Sequence, residues 1–560
     1  MVKNSKKVKK PLSKGKKIAL VIFLSILGLN LAAVAVVLIM FGPAGYKLLY
    51  MLKDTGYTRV ETSLTVEQRL KDFDYMYKYA CAENPDLKLF EKAYGISYDE
   101  LYHRYRGYIE NARDDFEFLS YMSSYLALLP GIHNSLHIPS YYVLTEQGFG
   151  MSEIYGTQKE KDYVNSWNDE FRDDVQKYME HTLTEFYYVN GTYIGIMPDV
   201  TVKNYSTKYV GAQLISLNGK DPKDMCFELF ETKAPVYDAG NKCYFRTHLR
   251  FNESTGIKYT AEIRMPDGTV VTTDLYDDPA FDIVCAESAS IYPELYGINK
   301  EEQRRQNSAN PNYTVETDAD RKTVYLRITK CSMADEIRIV EDLQNAIDKA
   351  GADTVIVDNR ANPGGDPSLV TKVLLPVLFS HDVDLEAQYV GKVNDYTKNF
   401  VHDHLNHLIL QTGSVKVKDG RFYYSEDFSV KGSAKKDLKI YMISSQLTCS
   451  SADIMTALGR KYDNCVVVGT NTKGEGICGT PFNCILPESH WGFVYVPTLS
   501  VSNPEDGYNG ISPDVYIPLT VEEYLKYMEL KDQGINADSY SVRLTWDQTL
   551  LKILKMAGKN

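Results

Sequence analysis

The sequence predicts an α/β protein, a parallel sheet layered with helices, preceded by a helical region and a small β-rich module. Three observations carry this expectation. Short β-branched runs alternate with amphipathic stretches from residue 322 to 469, a helical period dominates 42–183, and Asn-Gly and Asp-Gly turns punctuate β-like runs over 184–284. At 560 residues and 44% apolar content the chain has material for two to four folded units.

In chain order, residues 1–17 hold eight lysines and no acid, so the net charge of −12 divides into +8 there and −20 elsewhere. Residues 18–41, IALVIFLSILGLNLAAVAVVLIMF, carry no charge and would span about 36 Å as a helix. The run ends in Leu38-Ile39-Met40-Phe41 rather than in a small-x-small cleavage site, which reads as an uncleaved anchor. The flanking lysines place the N-terminus in the cytoplasm and everything after Phe41 outside, a single-pass protein of the cell membrane.

Residues 42–183, with VEQRLKDFDYMYKYACAE and DDFEFLSYMSSYLALLPG, read as helical. Over 184–284, TYIGIM, GAQLISLNG, KYTAEIRMPDG and TVVTTDLY read as strands of one β-rich module. The polar stretch 285–318 reads as a linker. The core, 319–520, alternates strand 322–329, helix 333–351, strand 354–360, helix 366–379, strand 438–445, helix 451–462 and strand 465–469, the pattern of a parallel layer with right-handed crossovers. Residues 521–560 read as two helices, the second apolar at Leu544, Leu550, Leu551, Ile553 and Leu554 and suited to packing on the core.

The sequence has no Walker A loop, dinucleotide fingerprint, HExxH or zinc-type CxxC pair, so no metal, organic cofactor or nucleic-acid partner is expected. Nine widely spread cysteines leave at least one unpaired; Cys478–Cys484 and Cys226–Cys243 are permitted bridges, and buried thiols the alternative. His402, His404 and His407 form an HxHxxH cluster of no expected function.

Chemistry concentrates in SQLTCSSADIM, residues 445–455, where Ser450 and Ser451 stand between a strand and a helix. A serine there projects past the sheet edge beside free helix amides, although ordinary N-capping uses the same residue type. VIVDNRANPGGD resembles the strand-Asp-x-Arg-x-Asn-x-Gly-Gly signature of the tail-specific, C-terminal-processing serine peptidases (family S41), and TCSSADI resembles their nucleophile turn.

The resemblance, strongest over 322–370 and 438–515, implies a crotonase/ClpP-like α/β peptidase core and a serine endopeptidase cleaving polypeptides through an acyl-enzyme. Aligning Asp453 on the acid that closes the turn makes Ser450 the nucleophile; amides of Ser451, Gly364 and Gly365 would form the oxyanion hole. Where the processing branch has its catalytic lysine this chain has Glu475, and Lys473, two residues away, is set aside on strand geometry. LALLPGIHNSLHIP resembles the histidine context of the tricorn-like branch and nominates His133 as base. NPEDGYNGISPD nominates Glu505 as the orienting acid, with Glu475 as alternative. YVGAQLISLNGKD resembles a PDZ hairpin, which implies peptide capture by strand addition. The departures at Glu475 and at Gly131-Ile132 motivate a second reading, a non-catalytic scaffold that binds peptides or apolar ligands at the cell surface.

Overall fold

Four helices follow one another at the start of the described chain because each begins on a side chain able to receive its free amides. They are α1 (Val66–Glu83), α2 (Leu87–Tyr94), α3 (Tyr98–Glu110) and α4 (Asp115–Leu128), capped by Thr65, Asp86, Ser97 and Asp114, and Thr65 forms a reciprocal capping box with Gln68. The computed structural model describes residues 63–129, 131, 133–141, 157–197, 204–286, 288–299, 311–394, 414–474, 482–496, 499–500 and 506–559. The basic tail 1–17, the apolar run 18–41, the His402–His407 cluster, Cys478, Glu475 and Glu505 lie outside them. No described helix is long and apolar enough to cross a membrane.

The chain divides into two units, residues 1–58 with 152–161, and residues 59–151 with 162–560. Of the first only 157–161 are described, the beginning of helix α5 (Gln158–Tyr178). A two-residue strand, β1 (Ser135–Leu136), follows α4.

The β-rich module is a six-stranded antiparallel sheet with a separate two-stranded ribbon, Val236–Asp238 against Cys243–Phe245. The strands of the sheet are β2 (Thr184–Val189), β3 (Thr192–Ile196), β4 (Gln213–Leu217), β5 (His248–Phe251), β6 (Ile257–Arg264) and β7 (Val270–Asp277), in the order β5-β2-β3-β4-β6-β7. At the Asn-Gly site read from the sequence, Asn218 and Gly219 both adopt positive φ, 49° and 76°, and Leu217 and Lys220 exchange backbone hydrogen bonds across the turn. Two boundaries differ from expectation. A helix, Pro279–Ala286, runs past residue 284, and the stretch taken as a linker ends in strand β8 (Tyr313–Asp318), which pairs with the core sheet. Its alternation was hidden by the polar residues of an edge strand half open to solvent.

The core sheet contains β8, β9 (Thr323–Ile328), β10 (Thr354–Asp358), β11 (Lys439–Ser444), β12 (Cys465–Gly469) and β14 (Val515–Tyr516), the intervening β13 (Gly492–Tyr495) belonging to another sheet. The order is β8-β9-β10-β11-β12-β14, with β8 antiparallel and every other pair parallel. Helix α6 (Glu336–Ala350) ends on Gly351 in the left-handed conformation, and α7 (Ser451–Lys461) follows β11. The helix expected over 366–379 is a π-helical turn, Leu369–Leu374, running into Leu375–Leu378.

Period two splits each core strand between two faces. Val355 and Val357 pack with Leu343 and Leu458 under α6 and α7, whereas Ile356, Tyr325 and Ile443 face the C-terminal helices. Those helices are α8 (Val521–Asp532), α9 (Tyr540–Arg543) and α10 (Gln548–Met556); Leu550, Ile553 and Leu554 are buried, whereas Leu551 points outward. The permitted Cys226–Cys243 bridge does not form, both cysteines being free: Cys226 is buried beneath Arg246, and the Cys243 sulfur lies 3.8 Å from the Tyr188 hydroxyl. Cys484 is free as well.

Candidate active site

The Asp-x-Arg-x-Asn-x-Gly-Gly stretch leaves the carboxyl end of β10 and every polar member is used. Asp358, buried, accepts from Tyr325 and pairs with Arg360 at 2.9 Å, and the Arg360 and Arg543 guanidiniums hold its carboxyl far below the usual carboxylate range against the cost of burial. Asn359 donates to the Ala452 carbonyl at 3.2 Å and, through its own carbonyl, accepts from Thr448 Oγ1 at 2.8 Å. Asn362, fully buried, donates to Asn359 and accepts from the Gly364 N–H at 2.9 Å. The motif therefore braces the turn that carries the serines.

Glycine is required at 364 and 365 by close approach. A Cβ on Gly364, at φ +96°, would stand 2.6 Å from the Ser450 Cβ and 2.7 Å from the Cys449 carbonyl oxygen; one on Gly365, at φ +133°, would stand 2.1 Å from the Cys331 carbonyl oxygen. The Gly364 N–H, expected in an oxyanion hole, is committed to Asn362, while the Gly365 N–H donates no hydrogen bond among the described residues.

The two serines are distinguished by what their side chains do. Ser451 is buried and its hydroxyl donates to the Gly365 carbonyl at 2.6 Å, tying the first residue of α7 to the glycine loop. Ser450 occupies the N-cap position at φ 56°, ψ −127° with no side-chain capping bond, half-buried, a backbone conformation costly for any residue but glycine. N-capping, the ordinary reason for a serine there, does not account for it.

Opposite the turn runs the segment Thr472–Gly474. The Lys473 N–H donates to Thr448 O at 2.7 Å and the Ser450 N–H to Gly474 O at 3.3 Å. This segment is not a strand, only a single bridge between Cys449 and Gly474, so the period-two argument that set Lys473 aside does not apply. Lys473 was legible only as a residue near a glycine; its place beside the turn depends on a tertiary contact.

His133 reaches the same neighbourhood from the N-terminal region. Ser135 pairs with Val494 through β1 and β13, and Asn134 accepts from the Val496 N–H at 2.8 Å. Burial, and then the nearby Lys473 cation, lower the His133 pKa from its ordinary 6.5. His133 thus lies close enough to Lys473 to feel its charge, and the Lys473 backbone bonds Thr448 just before the serine turn; Glu505 and Glu475 lie outside the described residues.

Residues 322–517, which include the glycine loop, Ser450 and Lys473 but not His133, match the model of peptidase family S41. No curated protein sequence matches the chain. Among solved structures the chain is similar to mature CPAF complexed with lactacystin, at 15% identity over 84% of this chain and 97% of that one, with a TM-score of 0.46. It is also similar to the photosystem II D1 C-terminal processing protease, at 13% identity over 82% and 94% of the two chains with a TM-score of 0.35. For the putative S41 protease from Bacteroides fragilis the values are 12% identity, 68% and 85%, and 0.30. With a strained serine at a braced strand-to-helix turn and the family's match spanning it, the chain carries a peptidase family S41 domain and is a serine peptidase hydrolase.

Proposed function

We propose that this chain is a membrane-anchored endopeptidase working outside the cytoplasm, with Ser450 as nucleophile and His133 as its base. The observation that carries the site is the strained, uncapped Ser450, with the Lys473 backbone bonded to its turn and His133 near the Lys473 charge. The lysine-rich start and the uncharged run 18–41 support the anchor and its orientation.

The chemistry is acyl transfer. Ser450 Oγ attacks a peptide carbonyl while His133, neutral at pH 7 because its pKa is lowered, takes the proton and returns it to the leaving amine. The amides of Ser451 and Gly365 are the candidates for holding the tetrahedral oxyanion, and water then hydrolyses the acyl-enzyme. An imidazolium formed beside Lys473 needs an opposing carboxylate, the role assigned to Glu505 or, alternatively, Glu475. The substrate is polypeptide, including loose C-terminal tails, and the β-rich module is suited to capture it by strand addition.

The position of Lys473 favours a second reading, in which its amine is the base. The pH profile of unfolded-protein cleavage separates the two when wild type, His133→Ala and Lys473→Met are compared. With His133 as base, kcat/KM rises through an apparent pKa below 6.5 and is flat above it, and His133→Ala loses about 10³-fold or more. A wild-type rise displaced into the alkaline range, with His133→Ala active and Lys473→Met inactive, would establish lysine instead.

A further inference from the structure

The chain passes from the end of β11 to Ser450 through Ser445–Cys449, and one side chain in that passage ties it to the rest of the site. Ser445 to Thr448 form a tight turn that Thr448 closes twice. Its N–H donates to the Ser445 carbonyl at 2.9 Å, and its hydroxyl oxygen accepts from the Ser445 N–H at 3.0 Å. The same hydroxyl donates to the Asn359 carbonyl at 2.8 Å, which pins the turn to the chain leaving β10. The Thr448 carbonyl accepts from the Lys473 N–H at 2.7 Å, so the segment opposite is held by the same residue. Three stretches remote in sequence therefore meet at one threonine.

Thr448 is 0% exposed, so substrate does not touch it and any part it has in catalysis is played through its neighbours. Ser450 stands two residues on, within about 7 Å of chain, in a backbone conformation that persists only where the surroundings impose it. The bonds made by the Cys449 and Ser450 amides themselves, to the Asn362 and Gly474 carbonyls, are both 3.3 Å long. Those at Thr448 run from 2.7 to 3.0 Å, so the tighter ties on this turn lie just upstream of the serine. Two of them are made by the hydroxyl, and valine would keep the shape of the side chain while making neither.

We propose that Thr448 is a positioning residue whose hydroxyl, by joining the Ser445 turn to the exit of β10, holds Ser450 Oγ in the geometry of attack. The proposal rests on Ser450 being the nucleophile and is independent of whether His133 or Lys473 is its base.

The test compares the full-length chain with Thr448→Val, which removes the hydroxyl and keeps the volume, and Thr448→Ser, which keeps the hydroxyl and removes the methyl. The rate of fluorophosphonate labelling, the labelled residue, and kcat and KM for cleavage of an unfolded protein are measured well below each variant's melting temperature. Thr448→Val slows labelling and lowers kcat about 10–100-fold with KM changed less than about twofold, since displacement of the nucleophile costs turnover and not binding. Thr448→Ser retains at least about half of the wild-type rates, and the adduct stays on Ser450 throughout. If Thr448→Val does not fold, Thr448→Cys, similar in size with only a weak donor, takes its place against Thr448→Ser. Wild-type rates in folded Thr448→Val, a loss as large in Thr448→Ser, or a rise in KM at constant kcat overturns the positioning role while leaving Ser450 as nucleophile. A wild-type adduct on another residue overturns the Ser450 assignment and the proposal with it.

Discussion

Ser450 holds a backbone conformation that glycine would adopt freely, and it does so with its amide bonded to Gly474 and its Cβ packed against Gly364. Strain of this kind costs about 1–3 kcal/mol and persists only where the surroundings impose it. Ser450→Gly is therefore expected to melt at or above the wild-type temperature while losing all cleavage, and a variant that melts several degrees lower would show that the conformation is not strained. At this scale the sequence was legible where chemistry and local geometry coincide. TCSSADI and the Gly364-Gly365 pair pointed to the turn where α7 and the glycine loop meet, because a strand, a small residue and a helix start are all local features. What was not legible was which amide is free: the Gly364 N–H is taken by Asn362, a bond that exists only once the loop has closed. Glu505 and Glu475 stand as assigned from the resemblance alone.

Among elements, the tie that matters most for the site joins α7 to the glycine loop. The Ser451 hydroxyl bonds the Gly365 carbonyl, Asn359 holds Ala452, and the Gly364 carbonyl accepts from the Cys331 N–H, so the first turn of α7 and the loop move as one piece. Ser451→Ala should retain serine-directed labelling, slowed about 10–100-fold, with stability lower by about 1 kcal/mol. Complete loss of labelling in a folded Ser451→Ala would mean that Ser451, not Ser450, reacts. The elements themselves were largely readable, since β9, β10, β11, β12 and α7 fall within one or two residues of the periodicity that predicted them, and α6 starts three residues later than expected, after a 3-10 turn over Met333–Asp335. The exceptions have physical causes. Strand β8 is a polar edge strand, and Lys473 sits on an irregular segment where strand alternation carries no information.

For the molecule as a whole, buried charge ties the C-terminal helices to the peptidase sheet. Asp358 at the end of β10, Arg360 after it, and Arg543 with Asp547 from the C-terminal region form one network, and Asp358 is 1% exposed. Removing one charge from such a set leaves its partners buried and unpaired, so Asp358→Asn should cost about 3–5 kcal/mol, read by urea unfolding. Because its folded pKa is depressed, Asp358 contributes stability above the ordinary carboxylate pKa and loses it only as pH falls below that value; the cost should be constant from pH 5 to 8. The sequence showed the C-terminal apolar stripe that packs on the sheet but not this network, whose members are separated by nearly 190 residues and pair only through tertiary contact.

The pairing of the N-terminal region with β13, with His133 near the Lys473 charge, is likewise a property of the whole fold, and it supports the central proposal that Ser450 is the nucleophile and His133 its base. Mapping a fluorophosphonate adduct by mass spectrometry on wild type and His133→Ala tests that claim most directly. The account predicts an adduct on Ser450 in the wild type and its near-complete loss in His133→Ala; an adduct on Ser451 or elsewhere, or undiminished labelling of Ser450 without His133, would contradict it.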